Sequence, residues 1–514
     1  MTDPQSPQDQ EPWLKKHLLA FDGGGVRGFY SLLFLQKLMQ HIQLREESLG
    51  PIQQDDDPIK EHNTSRHVTS FSPCTEPPNV SHLEDGEYTP YLPCHYFDYI
   101  TGTSTGGLIA IMLGRFRMTV EDCIHEYRSL AGDVFGHPRW LDDMHTLGLI
   151  KRSKYDTGTF ERVIKNVIMR RVEGGRGNRQ NARFDIEHGL CRVSVIANSF
   201  GSAGVTVPRI FRSYETKPSV ESEMNPMGNL MAKSIGRPSD ICVWQVARAT
   251  TAAPMYFEPL ELTIDDSFGH MIRNTRNQRR STTQTNAFRN NTMSLSAPQV
   301  EKLQDGGFGP ANNPSKEMLD ELKLQLPDNM SVGIFVSIGT ARPIEEPSGP
   351  RLLWTIKDGI ARLGDPEPTH RHMQAAAQEK GFSYYRLNEP NGLHGMQMDS
   401  WKPRQTGENT METMHNAFNA FCSQPKMESY IRRCAEELVA ERRNRVAANM
   451  PKWKRFALGR HFYCRLGDCP DDDFRREVDE VKFVAHLREG HGLNDAQIRK
   501  ALANCECQWI YRGK

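Results

Sequence analysis

Residues 97–113 read FDYITGTSTGGLIAIML: an apolar run, a glycine-flanked serine, then a second apolar run. Few folds accept that order. YFDYI has the length and aromatic content of a buried strand, and TGGLIAIML reads as the helix that follows it. Between them Gly102, Ser104 and Gly106 satisfy Gly-x-Ser-x-Gly. A serine held at a sharp strand-to-helix turn needs neighbours without clashing side chains, and the turn aims the next helix's free N–H groups at a reacting oxygen. Ser104 is therefore a candidate nucleophile. The same pattern also describes a small residue in a tight loop, so the choice depends on what else the chain supplies.

A strand running into a glycine-rich turn occurs earlier as well. HLLAF leads into DGGGVRG and then FYSLLFLQKLMQHIQL, where Leu32, Leu35, Leu38, Met39 and Ile42 recur at helical spacing. Gly23, Gly25 and Gly28 formally satisfy G-x-G-x-x-G. A dinucleotide site requires a second strand ending in an acidic residue about 20 residues on. The corresponding stretch, QLREESLGPIQQDDD, is polar and unlike a strand. The better reading is an anion cradle, in which backbone N–H groups around Gly23, Gly24, Gly25, Arg27 and Gly28 face an alkoxide. The Arg27 side chain reads more readily as a structural or helix-start contact than as a catalytic group.

The third piece is DGGFGPANNP, where Asp305 precedes Gly306 and Gly307. A serine hydroxyl needs a nearby proton acceptor, and burial raises a carboxylate's pKa toward a useful value. Asp-Gly is also an ordinary turn dipeptide, which is what the segment would mean alone. Elsewhere DTGTFERVIKNVIMR reads as a helix capped by Asp156 or Thr157, and RVSVIA and SVGIFVSIG read as strands. Alternating strands and helices predict an α/β fold with a mostly parallel central sheet. Polar stretches at 46–90 and 273–299 read as insertions with little capacity to pack.

FDGGGVRG, GTSTGG and DGGFGPANNP, in that order, resemble the patatin-like phospholipases, a family of lipid acyl hydrolases. FRSY at 211, ARATTAAPMYFEP at 247 and YYRLN at 384 resemble that family too. The resemblance covers roughly residues 17–400. It implies a three-layer α/β/α fold and a Ser–Asp dyad, with Ser104 as nucleophile, Asp305 as proton acceptor and the Gly23–Gly28 loop as oxyanion hole. It also implies a lipid ester substrate, contact with a membrane or lipid aggregate, and catalysis without a cofactor. The conventional alternative is a triad completed by a histidine. His95, His125 and His137 sit in no motif that fixes a role, whereas His394 in GLHGMQMD falls late enough in the chain to serve.

On this reading residues 1–16 are a disordered arm and 17–425 the patatin-like domain. Residues 426–456 form an amphipathic basic helix, and 457–514 a small helical Cys/His segment. In the helix Ile431, Leu438, Val439 and Val446 share one side. Its arginines, including Arg442, Arg443 and Arg445, read first as a solvated face with Glu428–Arg432 and Glu441–Arg445 pairs. A membrane or nucleic-acid patch is the sharper alternative. In the tail Cys464, Cys469, His486 and His491 have the order C-x4-C, sixteen residues, H-x4-H. That order resembles a Cys2His2 zinc finger, with a longer and more acidic centre than usual, and makes structural zinc an expectation. Cys and His in a small hydrophobic hairpin would give the same pattern.

The bulk numbers bound these readings. The 514 residues allow a sizeable core, and a net charge of +0 gives no overall field to drive the chain onto nucleic acid or an anionic membrane. Eleven cysteines scattered over the chain read as reduced thiols, and no secretory signal or membrane span is evident. The expectation is a cytoplasmic protein that also associates with membranes or enters the nucleus. The competing function class is a lipid-sensing regulatory protein whose Cys/His tail contacts a partner or DNA.

Overall fold

Alternation along β1 (Lys15–Phe21) sets the layering. Leu19 and Phe21 enter one buried cluster while Leu18 and Ala20 enter another, as period-two side chains of a strand buried on both faces must. The computed structural model describes residues 12–50, 52, 91–138, 153–172, 179–186, 189–200, 206–215, 233–235, 237–264, 273–274, 299–327, 329–341, 364–389, 393, 395–467, 469 and 480–508. Residues 1–11 of the expected disordered arm, most of both insertions and His394 lie outside these residues, whereas residues 12–16 are ordered, with Trp13 buried and β1 beginning at Lys15.

After β1 come α1 (Gly28–Leu49), β2 (Tyr99–Thr103), α2 (Thr105–Ala110), α3 (Val120–Phe135), α4 (Thr157–Arg171) and β3 (Arg192–Phe200). The chain continues through β4 (Thr206–Arg212), β5 (Lys233–Ser234), α5 (Val243–Thr250), β6 (Leu260–Ile264), β7 (Arg273–Asn274) and β8 (Gln299–Asp305). It then runs through α6 (Ser315–Gln325), β9 (Ser331–Ile338), α7 (Glu367–Lys380) and β10 (Ser383–Leu387). The sheet order is β10-β9-β1-β2-β3-β8-β6-β7, with β4 also on β3 and β5 on β4. From β10 to β3 every pairing is parallel, whereas β8, β6 and β7 join antiparallel. The expected α/β fold with a largely parallel sheet is what forms.

Helices cover both faces. Met318, Leu319 and Leu322 of α6 and Met373 of α7 pack on the Leu18, Ala20 and Phe335 side. The larger cluster on the other face takes in α1 and the later helices α8 (Glu408–Cys422) and α9 (Pro425–Ala448). Within residues 364–425, β10 thus supplies a sheet edge, and α7 and α8 supply parts of the two helical layers. Asp156 caps α4 by accepting from the Thr159 N–H at 2.6 Å, as read from the sequence.

The basic helix α9 departs from the expected solvated face. Arg442 and Arg443 donate to Glu46 of α1 at 2.7 and 2.8 Å, and Arg445 donates to Asp98 at 2.7 Å. Arg442 and Arg445 are buried, and Arg445 also lies over the Trp13 ring. Glu428 meets Lys37 and His41 of α1 instead of Arg432. These cations hold a helix against the core, because a buried guanidinium requires a carboxylate within reach.

After α9 come α10 (Met450–Leu458), β11 (Arg460–Phe462), α11 (Glu480–Glu489), α12 (Asp495–Cys505) and β12 (Glu506–Gln508). β11 pairs antiparallel with β12, so the tail expected to be helical also carries a small two-stranded ribbon. Phe462, Phe483, Leu487, Ile498, Ala501 and Cys505 make its separate core.

Candidate active site

Strand β3 works as a ruler that brings the motifs together. β2 lies along its first half, with Thr103 opposite Ile196, and β8 approaches antiparallel with Asp305 opposite Ala197. The ends of β2 and β8 therefore abut at consecutive positions of β3, while β4 occupies the other edge. Ser104 is the next residue after β2, and Asp305 is the last of β8. Two residues 201 positions apart meet in this way, and Ser104 Oγ donates to Asp305 Oδ2 at 2.6 Å.

The turn at Ser104 has the strained geometry that the glycines permit. Ser104 sits at φ 56°, ψ −129°, a conformation costing a non-glycine residue roughly 1–3 kcal/mol. A Cβ on Gly102 would lie 2.0 Å from the Gly106 carbonyl oxygen, and one on Gly106 would lie 2.5 Å from the Phe21 carbonyl oxygen. Neither position tolerates a side chain. The Ser104 N–H donates to Thr250 Oγ1 at 2.8 Å, and that hydroxyl donates to the Ile196 carbonyl at 2.6 Å. Thr250 thus ties the turn to the point of β3 where the two strands meet.

Asp305 is buried, and burial pushes its carboxyl up to about 7, against the opposing pull of the Ser104 hydroxyl and the Gly307 N–H. The Gly307 N–H donates to Oδ1 at 2.7 Å and Asn198 Nδ2 donates to the Asp305 carbonyl at 3.1 Å. One carboxylate oxygen is thereby fixed and the other faces the serine. A base poised near neutrality can both accept and return a proton. Among the described residues no histidine hydrogen-bonds to either member of the pair. His95 is engaged elsewhere, with Nε2 3.0 Å from the Ala457 carbonyl, and His125 and His137 are exposed.

The glycine loop after β1 lies against this pair. A Cβ on Gly23 would approach Ser104 Cβ to 3.0 Å, and Gly25 lines the same pocket as Ser104 and Asp305. Its donors are not equivalent. The Gly23 N–H is taken by the Asn312 carbonyl at 3.1 Å, that of Arg27 by the Gly24 carbonyl at 3.2 Å, and that of Gly28 by carbonyls of its own turn. The N–H groups of Gly24 and Gly25 meet no acceptor among the described residues. Gly25 has φ +59°, and a Cβ there would lie 1.9 Å from the Met398 carbonyl oxygen. The Arg27 guanidinium donates to the Gly24 and Met396 carbonyls at 3.4 and 3.3 Å, the loop-fixing role its sequence position suggested.

Residues that the motif reading passed over complete the support. Asp22 accepts a two-pronged contact from Arg386 of β10 at 2.9 and 2.5 Å, with both side chains buried. Tyr127 donates to the Gly25 carbonyl at 2.5 Å. Thr250 and Arg386 lie inside the ARATTAAPMYFEP and YYRLN stretches, so their neighbourhood was marked while their roles were not. From the pair an apolar pocket extends between Leu130 and Val134 of α3, Phe160 of α4, and Tyr256 and Phe257. Far from it in sequence, Cys464, Cys469, His486 and His491 bring one ligand atom each to within 4.8 Å of all the others, a group able to hold a metal ion.

Residues 83–319 match the family model described as patatin-like phospholipase. Calcium-independent phospholipase A2-gamma of Rattus norvegicus is 27% identical over 329 residues, covering 63% of this chain and 28% of the rat protein. Phospholipase A I of Arabidopsis thaliana is 25% identical over 355 residues, 60% of this chain and 23% of its own length. Patatin-like protein 4 of the same plant is 24% identical over 256 residues, 48% of this chain and 45% of its own. The matches therefore span less than half of each of these relatives.

Proposed function

Because this chain carries a patatin-like phospholipase domain, we propose that it is a serine lipid acyl hydrolase acting through a Ser104–Asp305 dyad. The observation that carries the reading is the 2.6 Å contact between a strained serine and a buried carboxylate at the floor of an apolar pocket. Asp305 accepts the hydroxyl proton as Oγ attacks the ester carbonyl, and the Gly24 and Gly25 N–H groups take the tetrahedral oxyanion. Collapse expels the alcohol portion, protonated by Asp305, and leaves the fatty acyl group on Oγ. Water then gives its proton to the same carboxylate and attacks the acyl-enzyme, and Asp305 passes that proton to Ser104 Oγ as the fatty acid leaves. Both steps use groups of the chain itself.

The pocket supports an acyl chain over a polar substituent, since Leu130, Val134, Phe160 and Phe257 offer hydrocarbon and little else. Among the described residues no helix is long and apolar enough to cross a membrane, so the reading has substrate met at a lipid surface from outside. Purified protein incubated with a mixed phospholipid and glycerolipid extract is expected to release free fatty acids. Ser104→Ala is expected to lower that release by about 10⁴-fold or more and to abolish labelling by a serine-directed fluorophosphonate. Equal labelling of the two proteins would overturn the assignment.

A further inference from the structure

Outside the patatin-like domain the strongest chemical cluster is the Cys/His group near the C-terminus, and its internal distances identify what belongs at its centre. His486 Nε2 lies 3.5 Å from Cys469 Sγ and 3.2 Å from His491 Nε2, and His491 Nε2 lies 3.5 Å from Cys464 Sγ. An imidazole Nε2 offers a single in-plane lone pair or a single proton. Each of these two nitrogens faces two close neighbours, so hydrogen bonding within the cluster satisfies only part of it.

A metal ion satisfies all of it. With bonds of about 2.0–2.1 Å to nitrogen and about 2.3 Å to sulfur, tetrahedral zinc sets its nitrogens about 3.3–3.4 Å apart and each nitrogen about 3.5–3.6 Å from a sulfur. Three of the six ligand–ligand separations match those edges to within about 0.2 Å, and all six fall within 4.8 Å. We propose that Cys464, Cys469, His486 and His491 bind one zinc ion in a closed tetrahedral S2N2 site that holds residues 459–508 together. Two thiolates with two imidazoles favour zinc over magnesium, calcium or manganese, which prefer oxygen ligands. Four protein ligands leave no position for substrate, so the ion is structural.

The placement of the ligands explains why an ion is needed there. Cys464 and Cys469 follow β11, His486 is near the end of α11, and His491 is in the turn leading to α12. The ion would join the strand ribbon to both helices beside the separate core built on Phe462, Phe483, Leu487 and Ile498, which Cys464 and Cys469 adjoin. A unit of about 50 residues buries too little surface to be firmly stable without such a cross-link. Cys464 and His486 are buried and His491 is half-buried, so the ligands meet away from open solvent.

The test uses the full-length protein, purified without chelator from zinc-supplemented medium. Elemental analysis is expected to give about one zinc per chain, and exchange with cobalt is expected to give the visible ligand-field and thiolate charge-transfer bands of a tetrahedral S2N2 centre. The double variant Cys464→Ser/Cys469→Ser should lose the metal, whereas Cys469→His, which keeps four ligands, should retain it and so separates ligand loss from misfolding. Zinc-free wild-type protein, zinc retained by the double serine variant, or an octahedral cobalt spectrum would each overturn the proposal.

Discussion

The Ser104–Asp305 pair at the strand ends of the sheet and the Cys/His unit near the C-terminus both gather polar side chains in buried surroundings, by opposite means. At the pair a large hydrophobic core and a paired sheet hold a serine at φ 56° and a carboxylate raised to about 7. Both are unfavourable locally, and the surrounding structure absorbs the cost. The C-terminal unit has a core of a few side chains, and under the zinc proposal its four Cys and His ligands supply the cross-link. A large core can accommodate a costly site, while a small one depends on its site to stay folded. Removing polar character should therefore change stability in opposite directions in the two regions.

Among changes that test this contrast, the largest expected effect is at Asp305. Asp305→Asn should lower esterase turnover by about 10³–10⁴-fold, because the proton acceptor is lost. It should also raise thermal stability. Between the ordinary carboxylate range and about pH 7 the folded protein binds a proton that the unfolded chain has released, so stability falls as pH rises across that window. Above it, holding the charge costs on the order of 4 kcal/mol, which asparagine avoids. Melting of both proteins from pH 5 to 8 checks the sign; an asparagine variant less stable at pH 8 would remove the contrast. Only the ionised base accepts a proton, so wild-type kcat/KM on a soluble ester should drop with an apparent pKa near 7 as pH falls.

Next in size is Cys469→Ala, the counterpart in the small unit. Zinc binding is coupled to folding in small zinc modules, so losing a ligand weakens the fold itself. The variant should lose hydrogen-exchange protection throughout α11 and α12 and gain protease sensitivity there. Unchanged protection would mean that the core of this unit suffices without its ligands. The smallest effect sharpens the pocket's side of the comparison. Val134→Trp fills part of the cavity beside Ser104 and should shift preference toward shorter acyl chains, at about fourfold per excluded methylene. Rates measured across a chain-length series of soluble esters read this out directly.

Much of the site was legible because local geometry demands particular residues. Gly102 and Gly106 flank Ser104 since any Cβ there meets a backbone oxygen, and that requirement leaves a mark in five consecutive residues. The C-x4-C and H-x4-H spacings are equally local. The arginines of α9 were read as solvated because periodicity cannot reveal that α1 and Asp98 would present carboxylates to them. Thr250, Arg386 and Asn198 went unassigned for the same reason: each acts on a partner distant in sequence.

The amino-acid sequence by itself determined the α/β alternation, the turn at Ser104 and the acidic residue before Gly306, since these follow from side-chain volume and periodicity over short windows. Only the tertiary structure decided that Thr103 and Asp305 meet consecutive positions of β3, and which loop N–H groups are left without an acceptor. Strand register and the completion of hydrogen bonds are properties of the whole assembled sheet, which no short window of sequence contains.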